Sequence, residues 1–137
     1  MNKIRFGIAG YGKMGKIREQ AINESSYATL VSIYDISECN HRDNNIILCD
    51  SFESLLETDV DAIIVSVYVS IAAEYVISAL LSGKHVFCEK PPSMTSKEMA
   101  DVIKVEKQTG KVLKYGFNHR FHYSVMEAKK IIDDGCL

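Results

Sequence analysis

Residues 4–15 read IRFGIAGYGKMG, in which a short apolar strand runs directly into a turn made of Gly10, Tyr11, Gly12, Lys13, Met14 and Gly15. Asp35 follows 20 positions after Gly15, at the end of a second apolar run, LVSIYD. The GxGxxG spacing alone is a weak signal, because a chain with eight glycines produces loose patterns by chance. A strand before it, a helix after it and an acidic residue about 20 positions later are together typical of a dinucleotide-binding site.

Each glycine of the turn has an expected physical role. Gly10 permits the tight turn out of the strand, Gly12 lets a pyrophosphate approach the backbone, and Gly15 lets the next helix pack against the sheet. That helix, predicted over residues 13–23, directs its free N–H groups and positive dipole end at the phosphates. The alternative is an ordinary glycine-rich turn between a strand and a helix.

Asp35 predicts the choice of cofactor. Its carboxylate is expected to accept hydrogen bonds from the adenosine ribose hydroxyls, and its charge disfavours a 2′-phosphate, which favours NAD over NADP. His41 and Arg42 lie in the following loop, where either side chain could fold back toward a 2′-phosphate. NADP is therefore the second and less favoured cofactor.

The whole chain has the composition of a globular domain. It has 137 residues, of which 47% are hydrophobic and 25% are charged, with a formal net charge of −2. This charge gives no electrostatic basis for binding nucleic acid or an anionic membrane. No apolar run approaches the length of about 20 residues that spans a bilayer. A core strand begins almost at the N-terminus, which leaves no room for a signal peptide, so we expect a cytoplasmic protein.

Cysteine and histidine spacing does not predict a metal site. His119 and His122 could share a helix face, but no cysteine or carboxylate lies beside them at ligand spacing. The cysteines show no CxxC spacing and are expected to be reduced thiols in a cytoplasmic chain. They are Cys39, Cys49, Cys88 and Cys136. We expect no bound metal.

Strand and helix patterns alternate along the chain. Strands are predicted over residues 3–9, 28–34, 46–49, 61–67, 84–89 and 111–117. Helices are predicted over residues 13–23, 71–83 and 123–134, from the cap Ser51 to Leu56, and from the cap Thr95 to Gln108. This alternation predicts an α/β Rossmann fold, a doubly wound parallel sheet in three α-β-α layers with strand order 3-2-1-4-5-6. Ligands of such sheets bind beyond the carboxyl ends of the strands, where we expect Gly10, Asp35, Ser66 and Glu89.

Three segments together resemble the Gfo/Idh/MocA family of NAD(P)-dependent oxidoreductases. They are GIAGYGKMG, ALLSGKHVFCEKPPS and YGFNHRFHYSVMEAKKIIDDG. The first is a general Rossmann pattern, whereas the second carries the family's signature tripeptide, Glu89-Lys90-Pro91. The resemblance implies hydride transfer between a nicotinamide cofactor and a sugar, sugar derivative or polyol.

The resemblance also assigns residues near the nicotinamide. The lysine of the tripeptide lies close to the nicotinamide and the reacting carbinol in that family, which implies that Lys90 is catalytic, in substrate orientation and proton handling. An ammonium in a partly desolvated crevice can hydrogen-bond a developing alkoxide. Asn118 and Arg120 follow the last strand, where family members place residues that face the nicotinamide or the substrate. The alternatives are a solvated loop lysine and an arginine paired with a surface carboxylate.

One segment departs from the family pattern. Members usually carry Thr-Pro-Asn and a following His after the fourth strand, whereas this chain has Val67-Tyr68-Val69 and has Ala72 in place of the His. Backbone contacts with a cofactor can survive this change. The full set of predicted cofactor contacts is Gly10, Tyr11, Gly12, Lys13, Met14, Gly15, Asp35, Ser66, Val67, Tyr68, Glu89, Lys90, Asn118 and Arg120.

The resemblance covers nearly all of this chain but only the N-terminal half of family members. It implies that residues 1–137 form the dinucleotide-binding domain, and that a second domain, absent from this chain, supplies most of the substrate pocket and the oligomer interface. We therefore expect a dehydrogenase as the parent protein, and a 137-residue chain that binds the dinucleotide, catalyses poorly and can form a homo-oligomer.

Two other classes of protein share a glycine-rich first turn. A non-catalytic module that senses NAD(H) or another nucleotide has the same fold, although it has little use for an inward lysine. A methyltransferase that uses S-adenosylmethionine usually has an acidic residue two positions before the first glycine, where this chain has Ile8.

Overall fold

Six parallel strands form one sheet in the order expected from the sequence. The computed structural model describes residues 3–37 and 39–136. The strands are β1 (Ile4–Ala9), β2 (Ala28–Tyr34), β3 (Ile47–Cys49), β4 (Ala62–Val65), β5 (His85–Cys88) and β6 (Leu113–Tyr115), arranged β3-β2-β1-β4-β5-β6. The helices are α1 (Lys13–Glu24), α2 (Phe52–Glu57), α3 (Val69–Leu81), α4 (Ser96–Thr109) and α5 (Tyr123–Asp133), and a 3₁₀ turn spans Asn118–Phe121. The predicted fold class and strand order are confirmed.

Local sequence signals set the ends of several elements. Ser51 caps α2, because its side chain accepts a hydrogen bond from the Ser54 backbone N–H at 3.0 Å. Thr95 caps α4 in the same way through the Glu98 N–H at 3.1 Å, and α4 ends where Gly110 adopts a left-handed φ of 64°. All four residues of β4 are buried, as its uninterrupted apolar sequence predicts for a central strand.

Helices pack on both faces of the sheet, but the two outer layers are unequal. On one face, α2, α3 and α4 bury a large core that includes Leu55 and Val102. On the other face, α1 covers β1 and β2 and buries Ile22. An open apolar trough of about 630 Å³ lies beside α1, with Phe6 and Phe87 among its lining side chains.

The structure differs from the predicted boundaries mainly at the carboxyl ends of strands. β4 ends at Val65 rather than at residue 67, because the chain turns at Ser66 and α3 already begins at Val69. β6 ends at Tyr115, where a turn replaces the ladder and the Phe117 N–H donates to the Tyr115 carbonyl at 2.8 Å. The 3₁₀ turn that follows was not predicted, because its four residues carry no helical apolar pattern.

α5 lies apart from the sheet. None of its residues is buried, and it packs against the 3₁₀ turn that precedes it. Its apolar side chains include Val125 and Ile132, which are exposed. Within residues 3–37 and 39–136, no helix is both long enough and apolar enough to cross a membrane.

All four cysteines are free thiols in this structure. Cys39 and Cys49 are half-buried, Cys136 is exposed, and Cys88 is buried within β5. Burial raises the pKa of the Cys88 thiol to about 12, so this thiol stays protonated and unreactive near neutral pH.

Candidate dinucleotide-binding site

A cleft of about 470 Å³ opens beyond the carboxyl ends of β1, β2 and β4. Eight of the predicted contact residues line it: Gly10, Gly12, Lys13, Met14, Asp35, Ser66, Val67 and Tyr68. Tyr11 and Gly15 belong to the same turn but are not among the residues that line the cleft. The topology therefore brings the glycine-rich turn, the end of β2 and the end of β4 to one place, as the strand order requires.

Gly10 sets the conformation of the turn from β1 to α1, which lies between the ends of β2 and β4. Its φ of 90° lies in the left-handed region, and a Cβ atom there would lie 2.5 Å from the Ser66 carbonyl oxygen. The Gly10 N–H donates to the Tyr34 carbonyl at 2.8 Å, and the Ser66 hydroxyl donates to the Gly10 carbonyl at 2.5 Å. The turn is thus held from β2 on one side and from β4 on the other.

Gly15 and Gly12 serve two different purposes. A Cβ atom at Gly15 would lie 2.3 Å from the Gly10 carbonyl oxygen, so only glycine lets α1 pass this close to the end of β1. A Cβ atom at Gly12 would meet no described atom within 4 Å. The space in front of Gly12 is the place where the fingerprint expects a pyrophosphate.

The N-terminus of α1 presents backbone donors to that space. Gly12 is the N-cap of α1; in the described part of the chain, no side chain caps the helix and no acidic residue occupies its first turn. Lys13 begins the helix and lines the cleft. Unpaired N–H groups, the positive helix end and a lysine together fit a phosphate group.

Asp35 lies at the end of β2 and is held by two backbone donors. Its Oδ2 accepts a hydrogen bond from the Tyr11 N–H at 2.6 Å, and its Oδ1 accepts one from the Ser37 N–H at 2.8 Å. Each carboxylate oxygen has a further lone pair, so both can still accept a hydrogen bond from the cleft. The geometry fits the predicted role of ribose acceptor.

Glu89 is placed differently from its expected position at the cleft. It is 8% exposed and forms an ion pair with Arg18 of α1, whose Nε donates to Glu89 Oε1 at 2.6 Å. The Arg18 guanidinium also lies over the Phe87 ring, 4.8 Å from its centroid. The Glu89 side chain therefore joins α1 to the end of β5 instead of lining the cleft.

The other residues predicted near the nicotinamide are exposed. Lys90 follows Glu89 and is joined to Pro91 by a cis peptide bond. Asn118 and Arg120 lie in the 3₁₀ turn after β6. These residues are outside the cleft lining, so their contacts with a nicotinamide stay predictions.

Several residues of the cleft were not predicted. They are Tyr34, Ile36, Ser37, Ile71 and Tyr75. The Tyr75 ring stacks on Phe52 with centroids 4.0 Å apart and lies 6.4 Å from the Tyr34 ring. Helical spacing offered a signal for Tyr75, because it follows Ile71 by four positions and shares its face of α3.

The described residues hold no group of three or more His, Cys, Asp or Glu side chains that could bind a metal ion. His119 and His122 lie close together, with ring centroids 4.8 Å apart. Their pairing lacks a third ligand among the residues that the structure describes.

These features define a Rossmann fold of the dinucleotide-binding type. A glycine-rich turn, an open helix N-terminus and an acidic residue at the end of β2 converge on one cleft. The sequence model of the Gfo/Idh/MocA oxidoreductase family, described as an NAD-binding Rossmann fold, matches residues 4–117. The chain belongs to this family.

Known proteins are similar to this chain over nearly its whole length. Inositol 2-dehydrogenase of Rhizobium meliloti is 29% identical over 138 residues, which cover 96% of this chain and 41% of that protein. The 2,7-anhydro-N-acetylneuraminate hydratase of Escherichia coli K12 is 29% identical over 137 residues, which cover 98% of this chain and 37% of that protein. The chain thus spans about two fifths of the length of the curated relatives that it matches.

A solved structure supports the same relationship. The crystal structure of scyllo-inositol dehydrogenase from Lactobacillus casei with bound NAD(H) and scyllo-inositol superposes with a TM-score of 0.89 at 26% identity. The superposition covers 98% of this chain and 42% of that one. The fold is therefore shared over nearly all of this chain.

Replacing Gly12 with valine is expected to separate binding from folding. The new side chain enters open space, so the free energy of unfolding should change by about 1 kcal/mol or less, the usual scale of an N-cap change. The same side chain occupies the pyrophosphate position, so NADH affinity should fall at least about tenfold, or about 1.4 kcal/mol. Thermal unfolding and calorimetric titration measure the two quantities.

Thr95→Val is the matched control for Gly12→Val. It removes the cap of α4, which lies outside the cleft lining, and should lower stability without lowering NADH affinity. Equal NADH affinity in Gly12→Val and the unaltered chain would contradict the placement of the pyrophosphate.

Proposed function

We propose that this chain is the dinucleotide-binding part of an oxidoreductase that transfers a hydride between a nicotinamide cofactor and a cyclic polyol, sugar or sugar derivative. The observation that carries the proposal is the convergence of the glycine-rich turn, the open N-terminus of α1 and Asp35 on one cleft. The inositol dehydrogenases among its relatives support the substrate class. Because the chain spans about two fifths of those relatives, the activity is proposed for the whole protein, with substrate contacts supplied by a second domain.

NAD is the proposed cofactor rather than NADP. The Asp35 carboxylate would repel a 2′-phosphate at the position where it accepts ribose hydroxyls. His41, one of the two side chains that could have bound such a phosphate, instead has its Nε2 2.7 Å from the Glu19 carboxylate on α1. Arg42 is exposed in the same loop. The negative charge of Asp35, together with the pairing of His41 to Glu19, supports NAD as the cofactor.

In this proposal, residues of this chain bind the cofactor and orient the substrate. A nicotinamide cofactor, when bound, supplies the hydride acceptor or donor. The N–H groups of α1 hold the pyrophosphate, and Asp35 orients the ribose. Lys90, at the carboxyl end of β5, orients the substrate hydroxyl and holds a proton at Nζ. Asn118 and Arg120, after β6, contact the nicotinamide or the substrate.

Net hydration or dehydration of a sugar derivative is a second candidate reaction. The hydratase of Escherichia coli favours it, since that protein is as similar to this chain as the inositol dehydrogenases are. The two reactions differ in a simple readout, because a dehydrogenase produces or consumes NADH in proportion to substrate and a hydratase does not.

The proposal extends to location and assembly. We propose a cytoplasmic location, which the four free cysteines support. We also propose contact with further protein, including a second copy, because the trough beside α1 leaves an apolar sheet face open.

Calorimetric titration of the 137-residue chain with NADH and NADPH tests the proposed cofactor. Saturable binding with NADH clearly tighter is the expected result. No binding of either nucleotide would overturn the proposed function. For the whole protein, absorbance of NADH during incubation with cyclic polyols tests the reaction, and NADH binding without turnover would favour a sensing module instead.

A further inference from the structure

Three side chains form a hydrogen-bonded cluster behind the glycine-rich turn. His41 Nε2 lies 2.7 Å from Glu19 Oε1, and the Tyr11 hydroxyl donates to the other oxygen of the same carboxylate. The Tyr11 and His41 rings lie with centroids 5.9 Å apart and planes tilted by 58°. We call this cluster the Tyr11–Glu19–His41 clamp.

The clamp joins three separate parts of the cofactor site. Tyr11 belongs to the glycine-rich turn, Glu19 lies on α1, and His41 lies in the loop that follows Asp35. Tyr11 is held at both ends, since its backbone N–H donates to Asp35 Oδ2 at 2.6 Å while its hydroxyl binds Glu19. A change in the hydrogen bonding of His41 can therefore alter the position of Asp35, through Glu19 and Tyr11.

The side chains of the clamp are shielded from water. The His41 side chain is 12% exposed and the Glu19 side chain is 17% exposed. Tyr11 and Cys39 pack against the buried cluster under α1. Because little water reaches this pair, salt screens its attraction less than that of a surface pair.

We propose that the Tyr11–Glu19–His41 clamp is a positioning device for the adenosine end of the cofactor: protonated His41 holds the loop after β2 and Asp35 in place, so that dinucleotide affinity falls as the solution becomes more alkaline. None of the three side chains lines the cleft, so they act through Asp35 rather than by touching the cofactor. The inference rests on the proposed binding of a dinucleotide.

The charges around His41 set the direction of the effect. The Glu19 carboxylate raises the pKa of His41, against the opposing influence of burial, and the backbone carbonyl of Asp43 adds to the rise. The Asp43 backbone faces the ring from the same loop: its carbonyl oxygen, 3.3 Å from Nδ1, can accept a hydrogen bond from the protonated ring, whereas its N–H, 3.0 Å from Nδ1, can donate only to the neutral ring. Around this pair lie the Tyr11 hydroxyl, the Cys39 thiol, and Lys16, whose Nζ is 5.7 Å from the centre of the Tyr11 ring.

The raised pKa of His41 determines how NADH affinity changes with pH. A histidine with a raised folded-state pKa contributes its full stabilisation below its unfolded value of about 6.5, and loses it as pH rises through the folded value. The charged pair is therefore complete below about pH 6.5 and weakens as the pH rises through the raised pKa of His41. Affinity for NADH should follow the same course.

The test is calorimetric titration with NADH between pH 6.5 and 9, on the unaltered chain, His41→Gln, His41→Ala and His85→Gln. The unaltered chain should lose affinity about threefold or more across this range, the change expected when a charge-assisted hydrogen bond becomes a neutral one. His41→Gln keeps a donor for Glu19 without the charge, so its affinity should be flat and equal to the alkaline limit. His41→Ala should bind more weakly at every pH.

His85→Gln is the matched control. His85 lies at the amino end of β5, opposite the cleft, and accepts a hydrogen bond from the Val112 N–H at 3.0 Å, which glutamine can also accept. This variant should keep the pH profile of the unaltered chain. Circular dichroism confirms that each variant is folded, and His41→Gln decides the matter if His41→Ala does not fold.

The outcomes separate this inference from the proposed function. An unaltered chain that binds NADH with the same affinity at every pH, or a His41→Gln variant that retains the pH profile, overturns the clamp while leaving dinucleotide binding intact. An unaltered chain that binds no NADH at any pH overturns both.

Discussion

Replacing Arg18 with methionine is expected to lower the free energy of unfolding by about 3–5 kcal/mol, the usual cost of leaving one member of a buried ion pair without its partner. The Arg18 and Glu89 side chains are 18% and 9% exposed, and Arg18 Nε donates to Glu89 Oε1 at 2.6 Å. Glu89 has little room to turn toward water, because a Cβ atom at Gly116 would lie only 2.8 Å from its Oε2. Methionine fills a similar volume and removes the charge.

Urea unfolding followed by circular dichroism measures this effect. Lys129→Met is the matched control, since it breaks the exposed ion pair with Asp133 on α5 and should cost about 0.5 kcal/mol or less. A double variant, Arg18→Met with Glu89→Leu, should recover much of the loss, because the buried charge is then removed as well. A loss in Arg18→Met as small as that of the control would contradict the account of the pair.

The fold could be predicted because its signals are local and repeated. The strand order follows from six apolar runs separated by helical segments, and the caps at Ser51 and Thr95 are visible within four residues of sequence. The exact ends of the strands and helices were harder to predict. The early start of α3 at Val69 depends on where β4 leaves the sheet at Ser66, which no local pattern specifies.

For the site, too, local sequence patterns predicted some residues and gave no indication of others. The cleft residues of the turn and of the strand ends were predicted, because parallel strands bring their carboxyl ends to one edge of the sheet. Contacts between side chains that are far apart in the sequence were not predicted. Arg18 and Glu89 are 71 residues apart, and His41 is 22 residues from Glu19. Such pairs depend on how α1 lies over the sheet, so a single sequence gives no signal for them.

Replacing Asp35 with alanine is expected to weaken NADH binding by about 1–3 kcal/mol, or about 5- to 150-fold, the range for losing charge-assisted hydrogen bonds. The variant also leaves the Tyr11 and Ser37 N–H groups without their acceptor, so part of the loss comes from a looser turn. Calorimetric titration with NADH and NADPH measures both affinities. NADPH should lose less than NADH, because removal of the carboxylate also removes its repulsion of a 2′-phosphate.

Asp35→Asn separates the two contributions. Its amide oxygen can still accept a hydrogen bond from Tyr11 or Ser37, so the turn keeps much of its support while the negative charge is lost. NADH affinity should therefore lie between that of the unaltered chain and that of Asp35→Ala, and the preference for NADH over NADPH should shrink in both variants. Unchanged NADH affinity in Asp35→Ala would remove Asp35 from the binding site and leave the cofactor preference without its charge-based explanation.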